Sequence, residues 1–123
     1  MNRAFVNILT KDVSKTATFY ENLLGMTRVG DFGWFVVLSH KDVPKYEFGI
    51  LDRNHATVPT AVSADPAGFI ATFVVEDVGD THAQAIAMGA EVIQEPTDLP
   101  YGQRRLLLRD PAGAVVDVSS PIR

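Results

Sequence analysis

Apolar and polar positions follow the same order twice along the chain. The run "AFVNILT" at residues 4–10 is rich in β-forming residues and predicts a strand, and Asp12 then supplies a favourable N-cap for a helix. The run "GFIATFVV" is followed in the same way by Asp77 and a second helical stretch. The phrases "KDVSKT" and "EDVGDT" stand at equivalent places in this order. The pattern therefore predicts two copies of one structural unit.

Each unit is predicted to continue from its helix into three strands. The first helix covers "VSKTATFYENLL" and ends at Gly25, a residue suited to a C-terminal cap. Its spacing predicts an inner stripe of Thr16, Phe19, Tyr20, Leu23 and Leu24. The second helix lies in "DTHAQAIAMGA" and ends at Gly89, with Ala83, Ile86 and Ala87 predicted on its inner face. Three extended segments follow each helix, so each half has the order β-α-β-β-β.

The repeat predicts one α+β domain over residues 1–123. Its two repeats cover about residues 1–53 and 68–123, and a polar, proline-bearing linker covers 54–67. One four-stranded sheet with one helix buries only a single face. We therefore expect the tandem βαβββ modules to form a concave, partly closed eight-stranded sheet with the helices outside, around a shared cavity.

Composition and charge narrow the classes of function. Apolar residues make up 46% of the chain, charged residues 21%, and the net charge is −4, which is typical of an ordinary globular protein. No basic cluster is long enough to follow a phosphate backbone, so a nucleic-acid partner is not expected. No cysteine occurs, which excludes disulfides and thiolate chemistry and is compatible with the reducing cytoplasm, the location we predict. No signal-peptide pattern and no apolar run of roughly 20 residues is present, so we expect no membrane partner.

Two longer motifs carry a resemblance to a known family. "DVSKTATFYENLLGM" and "LLLRDPAGAVVDV" resemble the opening and closing signatures of the vicinal oxygen chelate superfamily, and the resemblance covers nearly the whole chain. That superfamily includes glyoxalase I, extradiol dioxygenases, fosfomycin-resistance enzymes and bleomycin-resistance binding proteins. The resemblance implies the fold and a homodimer, often with the cavity completed between chains. It does not select among the functions that this fold carries.

In the enzymes of this superfamily, the resemblance implies a divalent metal held by the first and last strands of each half. The first-strand positions, seven residues before Asp12 and Asp77, are Phe5 and Ile70, which have no lone pair to donate. The last-strand positions are Asp117, after the "DPAG" turn, and Glu47, by the similarity of "YEF" to "VDV". Zinc, nickel or iron would require nitrogen donors at the first two positions.

We therefore predict no cofactor and no catalytic residue, with Glu47 and Asp117 as the only fallback metal ligands. His40 and His55 lie in loop-like sequence and His82 in the first turn of the second helix, so all three are predicted to be solvated at the surface.

Strand alternation predicts which side chains line the cavity. Phe5, Asn7 and Leu9 share one face, as do Ile70, Thr72 and Val74 from the second half and Val115, Asp117 and Ser119 from the last strand. Such a mostly apolar surface with a few polar groups is typical of a small-molecule site, although a collapsed core has the same composition.

Aromatic residues are predicted at the cavity rim. These are Phe32, Trp34, Phe35, Tyr46, Phe48 and Tyr101, of which Trp34 and Tyr101 are favoured as ligand-facing. The predicted ligand-binding set is Phe5, Asn7, Trp34, Glu47, Ile70, Thr72, Tyr101, Arg104 and Asp117.

Two carboxylates in an apolar pocket repel each other, so the pKa of Glu47 or Asp117 is predicted to rise and a cationic ligand to be favoured. Pairing of one of them with Arg104 or Arg105 is the alternative. The function predicted is metal-independent binding of a partly aromatic molecule such as an antibiotic, of the bleomycin-resistance type. The alternatives are a metal-dependent or carboxylate-based lyase, isomerase or dioxygenase, and a protein whose main role is dimerisation or scaffolding.

Overall fold

The computed structural model describes residues 1–123. The first half contains β1 (Val6–Thr10), α1 (Val13–Leu24), β2 (Thr27–Asp31), β3 (Phe35–His40) and β4 (Val43–Asp52). The second half contains β5 (Ile70–Val74), α2 (Val78–Ala87), β6 (Glu91–Asp98), β7 (Gln103–Arg109) and β8 (Val115–Pro121). The α+β class predicted from the sequence is confirmed.

Each half forms its own mixed four-stranded sheet. The strand orders are β1-β4-β3-β2 and β5-β8-β7-β6. The first strand of each half runs parallel to the last, β1 beside β4 and β5 beside β8, and the other pairs are antiparallel. Both β1 and β5 are therefore edge strands of their sheets.

The helix-covered faces of both sheets contribute to one hydrophobic core. Its 18 buried residues include Phe48 and Ile50 of β4 and Leu106 and Val116 of the second sheet. Tyr20 of α1 is fully buried between the halves. Its ring centroid lies 4.9 Å from that of Phe48 and 6.1 Å from that of Phe73 in β5. Packing across the two repeats therefore stabilises both of them.

The predicted first helix is confirmed at both ends. Asp12 caps α1, and its carboxylate accepts a hydrogen bond from the Lys15 backbone N–H. Gly25 follows the helix with a φ of 70°, a conformation that costs glycine little because it has no Cβ. The predicted inner stripe is buried except for Leu24, which is partly buried against the core.

The predicted inner face of the second helix is wrong. Val78, Thr81 and Ala85 are the buried residues of α2, while Ala83, Ile86 and Ala87 are exposed, Ile86 by 62%. The Asp77 cap begins the helix at Val78, and residues three and seven positions further on share its face. The alanine-rich sequence offers two apolar stripes, and the small side chain of Ala85 lies on the stripe that faces the core.

Candidate functional site

Each sheet has a face turned away from its helix, which we call its open face. Phe48 and Ile50 of β4 point into the core, so alternation places their neighbours on the opposite side. The open face of the first sheet carries Phe5, Asn7, Leu9, Phe35, Val37, Glu47, Gly49 and Leu51. The open face of the second sheet carries Ile70, Thr72, Val74, Gln103, Arg105, Leu107, Val115, Asp117 and Ser119.

Several apolar side chains on the open faces are exposed in the single chain. The exposed fraction is 37% for Phe5, 52% for Ile70 and 67% for Val74. The closing of the two sheets around one hollow stays a prediction.

The strand registers define which residues of the two halves are equivalent. Asn7 and Thr72 each lie five residues before their helix cap. Asn7 pairs with Gly49 across β1 and β4, and Thr72 pairs with Asp117 across β5 and β8. Gly49 is therefore the first-half counterpart of Asp117.

The sequence-based assignment of Glu47 to that position is wrong by two residues. The similarity of "YEF" to "VDV" is local, whereas the hydrogen-bonded ladder fixes the register over the whole strand pair.

Gly49 leaves space for the side chain of Asn7. A Cβ added at Gly49 would overlap Asn7 Oδ1 and lie 3.1 Å from Cε1 of Phe35. The Asn7 amide thus lies over the Gly49 backbone beside the Phe35 ring, and it is exposed to solvent.

Glu47 is paired within the chain. Arg3 donates from Nη2 to Glu47 Oε1 at 2.6 Å and from Nε to the other carboxylate oxygen, and its guanidinium lies 5.0 Å from the centroid of Phe5. The hydrogen bond from Arg3 is the main reason why the pKa of Glu47 is lowered, against the smaller opposing effect of burial. The rise in pKa predicted for this carboxylate pair is therefore not found at Glu47.

The alternative prediction, that Arg104 or Arg105 pairs with one of the two carboxylates, is wrong for Glu47. Its partner is Arg3, and neither of the predicted arginines contacts it. Arg104 pairs with Asp98 at 2.6 Å, and Arg105 donates from Nη2 to Gln94.

Asp117 is buried on the open face of the second sheet, with 6% of its surface exposed. Its Oδ2 accepts a hydrogen bond from the Thr72 hydroxyl at 3.0 Å, and its Oδ1 accepts one from the Ser119 hydroxyl at 2.5 Å. Both oxygens of this carboxylate are thus engaged by neighbouring side chains.

The residues present do not fit the divalent metal that the superfamily implies. By position and register, the four ligand sites hold Phe5, Gly49, Ile70 and Asp117, so a single side chain can donate. A transition metal in a protein takes three or four nitrogen, oxygen or sulfur donors. Within residues 1–123, no group of three or more His, Cys, Asp and Glu side chains is close enough to hold an ion.

Aromatic side chains gather beside Asn7 in what we call the aromatic cluster: Phe5, Phe32, Trp34 and Phe35. The ring centroid of Phe35 lies 6.4 Å from those of Phe5 and Phe32 and 5.9 Å from that of Trp34. Phe32 is 65% exposed. The cluster therefore offers a partly solvent-accessible aromatic surface.

Several aromatic residues that were predicted at the cavity rim are covered or lie elsewhere. His55 of the linker stacks on Trp34 at 3.7 Å between centroids and 7° between planes, so one face of the indole is already covered. The sequence indicated only a surface histidine there. Tyr101 is 67% exposed between β6 and β7, and Phe48 belongs to the core, where it packs with Tyr46.

Two of the surface clefts of the chain bear on the candidate site. One, of about 940 Å³, is lined by α1 and the turn between β7 and β8, and none of the predicted ligand-binding residues lines it. The other, of about 230 Å³, lies between β1 and the linker and is lined by Asn7, Leu9, Val62, Pro66 and Phe69 among others. Of the predicted set, only Asn7 borders either of these two clefts.

The fold and the paired repeats agree with the comparison to known families. Residues 3–118 match the Glyoxalase/Bleomycin resistance protein/Dioxygenase superfamily, and the chain belongs to that superfamily. The resemblance inferred from the sequence motifs is thereby confirmed.

Two mycobacterial relatives match nearly the whole chain. The chain is 45% identical over 118 residues to proteins named "Putative glyoxylase CFP32" in Mycobacterium bovis and Mycobacterium tuberculosis. This match covers 93% of the chain but 42% of each relative, so the chain spans less than half the length of these proteins.

Solved structures share the fold at lower identity. A glyoxalase/bleomycin resistance protein/dioxygenase family enzyme from Burkholderia phytofirmans PsJN superposes with a TM-score of 0.82 at 22% identity, over 96% of this chain and 97% of the other. A lactoylglutathione lyase from Agrobacterium tumefaciens gives 0.75 at 20% identity, over 94% and 90%. Neither helix of the present chain combines the length and the hydropathy of a membrane span. The cytoplasmic location stays a prediction.

Proposed function

We propose that this chain binds a small, partly aromatic molecule on the open face of its first sheet, without a metal, in the manner of a sequestering protein. The observation that carries the proposal is the pairing of two features. Three of the four implied metal positions hold Phe5, Gly49 and Ile70, which cannot coordinate an ion. One of these three, Phe5, belongs to the aromatic cluster beside an exposed amide.

Aromatic stacking supplies the binding energy in this proposal. Each ring of the ligand that packs on the cluster gains about 0.5–1.5 kcal/mol beyond the burial of its area. Burial of the exposed apolar surface adds the hydrophobic contribution. An antibiotic with a planar ring system is one molecule of this class.

Only one of the two carboxylates that were predicted to favour a cationic ligand remains free of an arginine partner. Arg3 already neutralises Glu47, so a positive group on the ligand is not required on the first sheet. Asp117 remains the acid that could attract one, and it lies on the open face of the second sheet.

We also propose a homodimer. The edge strands β1 and β5 expose Val6 by 56% and Val74 by 67%, and a second copy of the chain would cover these residues. The longer relatives, of which this chain spans 42%, have the length for two such units in one chain. Light scattering after gel filtration tests this, with about twice the mass of 13.4 kDa expected. A monomer at high concentration would contradict it.

A metal-dependent enzyme of the lyase type is the second candidate. It is favoured by the 45% identity to proteins named as glyoxylases, whose printed names describe those proteins and not this chain.

Elemental analysis and thermal shift separate the two candidates. The purified chain is assayed for bound metal, then heated with a panel of planar aromatic compounds in the presence and absence of EDTA. A sequestering protein contains no stoichiometric metal and gains stability from at least one aromatic compound with or without EDTA. A ligand at a hundred times its Kd adds about 2.7 kcal/mol. Stoichiometric zinc or nickel with metal-dependent formation of lactoylglutathione would overturn the proposal in favour of the enzyme.

A further inference from the structure

Asn7 places an exposed amide group between the Gly49 backbone and aromatic rings on the open face of the first sheet. Its amide lies over the backbone of Gly49, and the Phe35 ring borders the same point. Phe5 stacks with Phe35 at 6.4 Å and 24°. An exposed carboxamide therefore stands against an aromatic wall, and space is kept for it by the missing side chain of Gly49.

The equivalent place in the second half carries different chemistry. There the pair is Thr72 and Asp117, joined by a hydrogen bond of 3.0 Å. A carboxylate at position 49 would require Asn7 to move, because even a Cβ there would overlap Asn7 Oδ1. The first sheet thus presents a neutral amide where the second presents a buried acid.

We propose that Asn7 determines the ligand specificity of the first open face and selects planar aromatic molecules with an amide-type edge, such as a lactam or an aryl carboxamide. The inference rests on the proposed function, since the site is the same. A carboxamide offers N–H donors and a carbonyl acceptor side by side. A C=O next to an N–H on the ligand matches both groups at once, in the geometry by which asparagine recognises an adenine edge.

Charge supports the choice of a neutral ligand edge. The nearby carboxylate, Glu47, is held by two hydrogen bonds from Arg3. A ligand on this face therefore meets an ion pair with no net charge, and its orientation depends on the amide.

The experiment uses two probes, 2-quinolone and N-methyl-2-quinolone. They share the planar ring and the carbonyl, but only the first has the N–H. Both are titrated into the isotope-labelled full chain, and Kd values are taken from NMR shifts of the wild type, Asn7→Leu and Asn22→Leu. Asn22 is exposed on α1, away from the open faces, so it receives the same chemical change as a control.

The wild type is expected to bind 2-quinolone about tenfold more tightly than its N-methyl derivative, the effect of one or two hydrogen bonds. The preference should fall to about one in Asn7→Leu and remain in Asn22→Leu. Asn7→Ala serves as a second variant if the leucine substitution disturbs the amide spectrum.

A preference that survives in both Asn7 variants would overturn the role of Asn7 while leaving aromatic binding intact. Failure of both quinolones, with other aromatic compounds still stabilising the chain, would overturn the ligand class alone. Failure of every aromatic compound would overturn the proposed function itself.

Discussion

The phenol of Tyr20, in α1 of the first half, donates a hydrogen bond of 2.5 Å to Oδ2 of Asp110, in the turn between β7 and β8. Both residues are buried, with exposed fractions of 0% and 5%. The other carboxylate oxygen accepts hydrogen bonds from the backbone N–H groups of Ala112 and Ala114. One acid therefore shapes the "DPAG" turn and joins it to the helix of the other repeat.

Replacing Tyr20 by phenylalanine should destabilise the fold. Asp110 would lose its side-chain donor while remaining buried, which costs about 1–3 kcal/mol of unfolding free energy. Urea denaturation measures the change, and an unchanged m-value would show that the unfolded state is unaffected. Tyr46→Phe is the control, because Tyr46 is 40% exposed and should change stability by less than about 0.5 kcal/mol. Equal stabilities of Tyr20→Phe and the wild type would contradict the importance of this contact.

The same tyrosine predicts a loss of stability at alkaline pH. Burial, helped by the negative charge of Asp110, raises the pKa of Tyr20 well above its ordinary value of 10.0. Between the ordinary pKa and the raised one, the unfolded chain loses the phenol proton and the folded chain keeps it. The unfolding free energy then falls with pH, by up to about 1.4 kcal/mol per pH unit for this group.

Urea midpoints from about pH 9 to about pH 11 test this sign, with Tyr20→Phe as the comparison. The variant should lose stability less steeply, although Tyr46, whose pKa is also raised by burial, keeps part of the slope. Identical slopes for the two proteins would rule out Tyr20 as the titrating group.

How far the sequence predicted the structure depends on where each signal lies. Helix α1 was predicted in full because Asp12 and Gly25 mark its two ends. The register of the last strands was not, because the spacing between paired strands differs between the repeats. Asn7 pairs with Gly49, 42 residues on, whereas Thr72 pairs with Asp117, 45 residues on. A short local similarity then aligned the wrong acid.

The candidate site was predicted only in part for a related reason. Alternation through β1 and the residue before it placed Phe5 and Asn7 together, since a strand has a strict period of two. Arg3 and His55 approach the site from the N-terminal segment and from the linker. Periodicity contains no information about the paths of such segments, so their contacts with Glu47 and Trp34 had no signal in the sequence.

A methyl group at position 49 should be destabilising because of Asn7. Gly49→Ala would force the amide away from the backbone and crowd Phe35, at a cost of about 1–3 kcal/mol. In an Asn7→Ala background the same substitution should cost less, because the overlapping group is gone. The double-mutant cycle should give a coupling energy of about 0.5–3 kcal/mol.

Gly30→Ala is a matched control for this cycle. Gly30 lies in β2, and an added Cβ would meet nothing closer than 3.7 Å, which is ordinary van der Waals contact. If Gly49→Ala were no more destabilising than Gly30→Ala, the Asn7 amide would not occupy the place assigned to it.

Removing the His55 ring should uncover the indole of Trp34. Trp34 is the only tryptophan in the chain, so tryptophan fluorescence reports on the surroundings of this one indole. We expect His55→Ala to shift the emission to longer wavelength, increase quenching by acrylamide, and cost about 0.5–1.5 kcal/mol for the lost stack. His40→Ala, which removes a histidine at the end of β3, should leave the emission unchanged. Unaltered emission in His55→Ala would mean that the ring does not cover Trp34 in solution.

Arg3 should control the ionisation of Glu47. Since hydrogen bonding to Arg3 lowers the pKa of Glu47, the Arg3→Met variant should return it towards its ordinary value of 4.5. A folded-state pKa below the unfolded one contributes stability above the unfolded pKa, and this contribution is lost as the pH falls through the folded value. The variant should therefore lose less stability than the wild type on acidification. NMR titration of the Glu47 side-chain carboxyl carbon measures the shift directly.

Arg123→Met, which removes the exposed partner of Glu76, should leave the Glu47 titration unchanged. An unmoved titration in Arg3→Met would show that the N-terminal segment does not hold Arg3 over this open face.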